Sequence, residues 1–252
     1  LPKMIMVNKK ASESQVMELE KRNYNNPVVL CGFAGSTPTG VLAASYIVET
    51  LGMHQVAHLI SQHIPPVAVF VGGKLRHPFR IYANNSNTVL VAMCEVPISS
   101  AHIYEISNTL MNWIDQVGAS EIVIMEGSPA NGIPEERPVF AVAEKPKLDK
   151  FKKAGIQPAD SAIIAGMGGG ILNECLVRKI TGLSFITPTS VDIPDPGAVL
   201  SIIEAINKAY NLKIKTDLLE EQVKALDEQI KKIEEQYKEL QEKQKEPQSM
   251  YG

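Results

Sequence analysis

A chain of 252 residues, 44% of them apolar, can bury a substantial core, and its length suits one α/β domain with an appendage better than two domains. The net charge of −3 shows no basic bias and speaks against nucleic acid as a partner. No apolar run approaches the roughly 20 residues that span a bilayer and no signal-peptide pattern opens the chain, so the expectation is a cytoplasmic protein without a membrane partner.

The pattern divides into a lead-in over residues 1–25, an α/β body over 26–212, and a helical arm with a tail over 213–252. The lead-in is polar, and Gln15–Arg22 reads as a short helix. Pro27-Val28-Val29-Leu30-Cys31 reads as a buried strand. It runs into a glycine-rich turn, Gly32–Gly40, and then a helix carrying Val41, Leu42, Val48 and Leu51. Strand, turn and helix in this order open an α/β unit. Gln55–Ile60, Val67–Val71, Phe79–Ala83 and Thr88–Cys94 look extended. Gly72-Gly73 and Asn84-Asn85-Ser86-Asn87 supply turns, which makes this middle portion hairpin-like and antiparallel.

Ser99-Ser100 are placed to cap an amphipathic helix whose apolar face holds Ile103, Ile106, Leu110, Trp113, Ile114 and Val117. Strands are then expected at Glu121–Met125, Val139–Val142, Ala162–Ala165 and Leu183–Thr187. Helices fall over Lys147–Lys153, Ile171–Ile180 and Ala198–Tyr210. This alternation implies a mostly parallel sheet covered on both faces.

The arm has the clearest periodicity. Leu219, Val223, Leu226, Ile230, Ile233, Tyr237 and Leu240 recur in steps of four and three, the spacing of a heptad seam. A helix over 216–245 would run about 45 Å. Pro247 stops it, leaving Met250, Tyr251 and Gly252 at the free end. A terminal carboxylate beside an aromatic ring can enter a small pocket that takes both the ring and the charge. This hydrophobic–tyrosine–any ending resembles the docking tail of proteasome activators.

The body carries a wider resemblance. Pro27–Gly40 (PVVLCGFAGSTPTG), Ala165–Leu172 (AGMGGGIL), Pro194–Ala198 (PDPGA) and the strand-ending Glu126-Gly127 are together similar to the proteasome assembly chaperone family, in its archaeal form, across most of residues 27–210. The resemblance implies a three-layer α/β/α sandwich with a mostly parallel mixed sheet, distantly similar to nucleoside phosphorylases. It also implies homo- or hetero-oligomers, some of which are ATP-independent activators or assembly factors of the proteasome. The partners so implied are proteasome α-subunits, docked by Met250, Tyr251 and Gly252, and further copies of the chain.

Other readings stand beside that one. Gly166–Gly170 lacks the Lys-Ser/Thr ending of a P-loop and the dinucleotide spacing, so close helix packing explains it best, and Gly32–Gly40 likewise. Glu95 and Glu126 follow strands where α/β enzymes place catalytic groups, yet no nucleophile or metal cluster stands beside them in sequence. His54 and His58 are four apart, but on a strand. Asp192 and Asp195 suit turn and capping roles. Cys31, Cys94 and Cys175, without a Cys-x-x-Cys pair, read as reduced buried thiols. No enzyme activity, cofactor or metal is therefore expected. The alternatives are a nucleoside-phosphorylase-like enzyme built on the glycine loops and Glu126, and a scaffold whose arm joins subunits while the tail stays idle.

Overall fold

The computed structural model describes residues 14–245, with side chains through residue 232. One nine-stranded mixed sheet organises them. Its centre is parallel: β2 (Val28–Phe33) lies between β7 (Val89–Cys94) and β8 (Glu121–Ala130), and β11 (Gly182–Ser190) follows β8. These strands are buried on both faces, so their sequences are near-continuous apolar runs such as Val28–Cys31 and Val89–Cys94.

On one side of this centre the sheet continues antiparallel through β6 (Phe79–Ala83), β3 (His54–Ser61) and β1 (Ser14–Glu18). The expected hairpin-like middle is therefore present, and a small hairpin, β4 (Val69–Val71) with β5 (Lys74–Arg76), turns through Gly72 and Gly73 at positive φ. On the other side β9 (Phe140–Val142) runs antiparallel to β11, and the two-residue β10 (Gln157–Pro158) closes that edge.

Helices cover both faces. α1 (Thr39–Thr50), α5 (Pro196–Tyr210) and α3 (Lys145–Lys153) enclose one core with Leu30, Met93, Val123 and Phe185. α2 (Ile103–Val117) and α4 (Gly166–Arg178) enclose the other with Cys31, Leu90, Ile106 and Ile124. The odd and even residues of the same strands serve opposite cores, as period-two geometry requires. The fold is thus the three-layer α/β/α sandwich that the sequence implied.

Three local expectations change. Gln15–Arg22 does not form a helix: Ser14–Glu18 pairs antiparallel with His58-bearing β3, Val16 joins the second core, and Glu18 accepts a hydrogen bond from Trp113 Nε1 at 2.8 Å. Sheet pairing here overrides the weak helical preference of a polar segment. Ala162–Ala165 is no strand, because β11 already has β8 and β9 as neighbours, and Ile163 is left exposed. Ser99 makes no side-chain cap; a 3₁₀ turn over Ser100–His102 leads into α2 instead. Asp195 does cap α5, accepting from Ala198 N–H at 3.2 Å, and also pairs with Arg137 at 2.9 Å.

The arm is α6 (Asp217–Lys245), 29 residues long. Its root is held firmly. The Asn207 side chain donates to Ile214 O at 2.8 Å and accepts from Ile214 N–H at 2.9 Å, and Tyr46 OH donates to Lys215 O at 2.8 Å. Leu219 is buried in the first core, while Val223, Leu226 and Ile230 are half-buried. The side chains of Ile233, Tyr237 and Leu240 and the whole of Met250, Tyr251 and Gly252 lie outside the described residues.

Candidate functional site

The parallel strands β2, β8 and β11 end at the same edge of the sheet, the edge where open α/β folds place ligand sites. β8 and β11 run further than the sequence suggested, staying in register from Gly182↔Ile122 to Ser190↔Ala130. With the β2–α1 turn and the segment before α4 they enclose a cavity of about 610 Å³. Phe33, Met125, Phe140 and Ile163 give it apolar walls; Thr37, Glu126, Ser128 and Asp160 give it polar ones. The Ala162–Ala165 run therefore has a use as part of the cavity rim.

Glycines let the backbone close around this space. A Cβ on Gly127 would lie 2.4–2.6 Å from side-chain atoms of Thr189, Thr37 and Thr39. Thr39 Oγ1 in turn donates to Thr189 Oγ1 at 3.0 Å, tying α1 to β11 beneath the cavity. A Cβ on Gly168 would lie 2.1 Å from Glu126 Oε1, so α4 crosses directly over that carboxyl group. A Cβ on Gly170 would meet Ser107 Oγ at 2.5 Å. Gly166–Gly170 thus packs α4 against Glu126 and α2, in line with the close-packing reading of the sequence.

That crossing half-buries Glu126, and burial pushes its pKa up to about 7. A group with this pKa can take or give a proton near neutrality. Glu95 does not join it. Arg80, only 3% exposed, holds Glu95 bidentately at 2.7 and 2.6 Å. The two glutamates therefore do different work: one is an ion-pair partner and the other lines a cavity. None of the cavity's lining residues, among those described, is Lys, Arg or His. A phosphate there would face Glu126 and Asp160 without a cationic side chain, which disfavours the phosphorylase chemistry.

Glu126 also gives a stability prediction. Its folded pKa lies above the ordinary value of 4.5, so it favours the folded state fully only below that value. The contribution is lost as pH rises through about 7. Glu126→Gln is expected to stabilise the protein by on the order of 2 kcal/mol at pH 8 and to change it little at pH 4.5. Urea unfolding of both proteins at the two pH values checks this; equal differences at both would refute it.

The remaining candidates have structural partners. His54 Nε2 hydrogen-bonds Asn85 Oδ1 at 2.9 Å, and His58 stacks on His77 with ring centroids 4.1 Å apart. Four residues along a strand separate His54 and His58 by about 13 Å, too far for one ion. Cys31, Cys94 and Cys175 are free and buried. Burial raises all three thiols, Cys94 to about 11 and Cys175 to about 12, so they are poor nucleophiles. No described helix is long and apolar enough to cross a membrane.

This architecture has relatives. Pyrococcus furiosus PbaA, described as an archaeal homolog of proteasome-assembly chaperone, superposes with a TM-score of 0.80 at 21% identity, covering 92% of this chain and 96% of that one. Pyrococcus furiosus PbaB, described as an archaeal proteasome activator, gives a TM-score of 0.76 at 20% identity over 88% of this chain and 99% of that one. An uncharacterized protein of Methanocaldococcus jannaschii is 24% identical over 209 residues, 83% of this chain and 86% of its own length. The PAC2 family profile matches residues 29–234, nearly the whole sandwich and the first half of the arm. The chain belongs to the PAC2 family.

Proposed function

We propose that this protein is a homo-oligomeric, ATP-independent factor of the cytoplasm that binds the α-ring of the proteasome core and promotes its gate opening or assembly. The observation that carries this reading is the rooted α6: a long helix fixed to a PAC2 body by Asn207, Tyr46 and Leu219, whose sequence continues to Met250-Tyr251-Gly252. The likeness of the body to PbaA and PbaB supports it.

In this reading Tyr251 is the aromatic anchor, Met250 adds an apolar contact, and the Gly252 carboxylate supplies charge. No nucleotide is hydrolysed. Activation comes from tails that bind the open gate better than the closed one, since a ligand shifts an equilibrium only by its differential affinity. The half-buried seam of Val223, Leu226 and Ile230 would pair arms from neighbouring copies, so that several linked tails dock with avidity.

Peptide hydrolysis by a purified proteasome core tests the proposal. The intact protein is expected to stimulate it, and Tyr251→Ala or removal of the last three residues to bring the rate back to the unstimulated level. Equal stimulation by all three would remove the tail from the mechanism. α-Subunit binding that survives the truncation would favour the scaffold. Saturable nucleoside turnover lost in Glu126→Gln would favour the enzyme.

A further inference from the structure

Three polar side chains outside both the cavity and the arm converge where β3, β1 and α2 meet. His63 follows β3, His102 ends the 3₁₀ turn before α2, and Glu105 lies in the first turn of α2. One ligand atom from each lies within 4.8 Å of the other two. His63 Nε2 is 3.1 Å from Glu105 Oε2, and the two imidazoles stack with centroids 3.8 Å apart and planes 14° from parallel.

The geometry points to a binding site for a divalent transition-metal ion of the zinc class, held by His63, His102 and Glu105, with water completing the coordination. Two imidazoles are borderline donors and the carboxylate a harder one, and it is the imidazole pair that suits zinc or cobalt rather than calcium or magnesium. Bonds of about 2.0–2.2 Å in a tetrahedron put neighbouring ligand atoms about 3.4 Å apart. The His63–Glu105 separation already approaches that edge, and the His63 and His102 rings must tilt out of their stack for both in-plane lone pairs to meet one ion. His63 and Glu105 remain 19% and 32% exposed, which leaves the open side that an ion and its water need.

A supporting shell is in place. Ser14 Oγ donates to Glu105 Oε1, steering Oε2 toward His63, and shares a hydrogen bond of 2.7 Å with Ser61 Oγ. Ser61 Oγ accepts from His63 N–H at 3.0 Å and so fixes the backbone that presents the imidazole. Orienting a ligating carboxylate in this way raises metal affinity. A bound ion clamps the segment after β3 to the start of α2, with edge strand β1 joined through Ser14. This site is independent of how the arm engages a partner.

Titration of the metal-free, tag-free full chain with zinc chloride, and with cobalt chloride followed by visible absorption, tests the assignment. One ion per chain is expected, with ligand-field bands for cobalt. His102→Gln and Glu105→Gln should each weaken binding at least about tenfold, and Ser14→Ala about tenfold. Glu105→Gln keeps the size and shape of the side chain, and a circular-dichroism spectrum matching the wild type separates its loss of binding from misfolding. His58→Gln, at the other histidine stack, should bind as the wild type does. Absence of saturable binding, or binding unchanged in both His102→Gln and Glu105→Gln, overturns the proposal.

Discussion

Gly40→Ala is expected to destabilise the protein by about 3 kcal/mol or more, although it adds a single methyl group. That methyl would lie 2.2 Å from the carbonyl oxygen of Met125, in β8. β8 is held on both sides by β2 and β11, so its backbone cannot yield cheaply. The same close approach appears from the other side: a Cβ on Gly32 would sit 2.0 Å from Gly40 O and 2.8 Å from Ala44 Cβ. β2, α1 and β8 therefore meet backbone to backbone at two glycines, and the cavity wall is built on that junction. Gly35→Ala, a few residues away on the same turn, meets nothing within 4 Å and has no positive φ. It should change stability by no more than about 0.5 kcal/mol. Thermal unfolding separates the two: for a chain of this size the Gly40 variant should melt about 6–12 °C lower. Equal melting temperatures for both variants would show that α1 can move away from β8.

These glycines show how far the sequence could be read. The run Pro27–Gly40 announced a strand, a tight turn and a helix, and close packing followed from the lack of a phosphate-binding lysine. The central strands were legible because burial on both faces writes itself as unbroken apolar runs. β1 was not: it lies at an edge with most of its side chains exposed, so Ser14–Glu18 has no alternation strong enough to announce pairing with β3. Ala162–Ala165 misled for the opposite reason. It borders a cavity and leaves Ile163 exposed, and apolar composition alone does not distinguish a rim from a strand.

The sites divide in the same way. Glu126 was identifiable by its position after a strand, but its raised pKa comes from α4 passing overhead, a tertiary contact made possible by Gly168. His102 and Glu105 have a helical i, i+3 spacing that marks a candidate pair of ligands. His63, distant in the chain, joins them only because β3 pairs with β1 beside α2, which no local pattern encodes. The arm was legible as a long helix, which α6 is, since a helical period needs no tertiary information.

Glu95→Ala is the second substitution with a large expected effect, and it distinguishes a structural carboxylate from a catalytic one. Arg80 is buried with its guanidinium shared among Glu95, His77 O at 2.8 Å and Tyr82 OH at 2.8 Å. Removing Glu95 leaves a buried cation with two neutral partners, a change that typically costs about 3–5 kcal/mol. Glu95 is 26% exposed, so water entering the vacated space should hold the loss to about 3 kcal/mol. Glu95→Gln, which keeps one acceptor for the guanidinium, should lose about half as much. The decisive comparison is Arg80→Met combined with Glu95→Ala. With both charges gone, no uncompensated ion remains, and the double variant should unfold at a higher denaturant concentration than Glu95→Ala alone. If the two losses simply add, the pair is not coupled and Glu95 is free for another task. If the second substitution restores stability, the work of Glu95 is to neutralise Arg80.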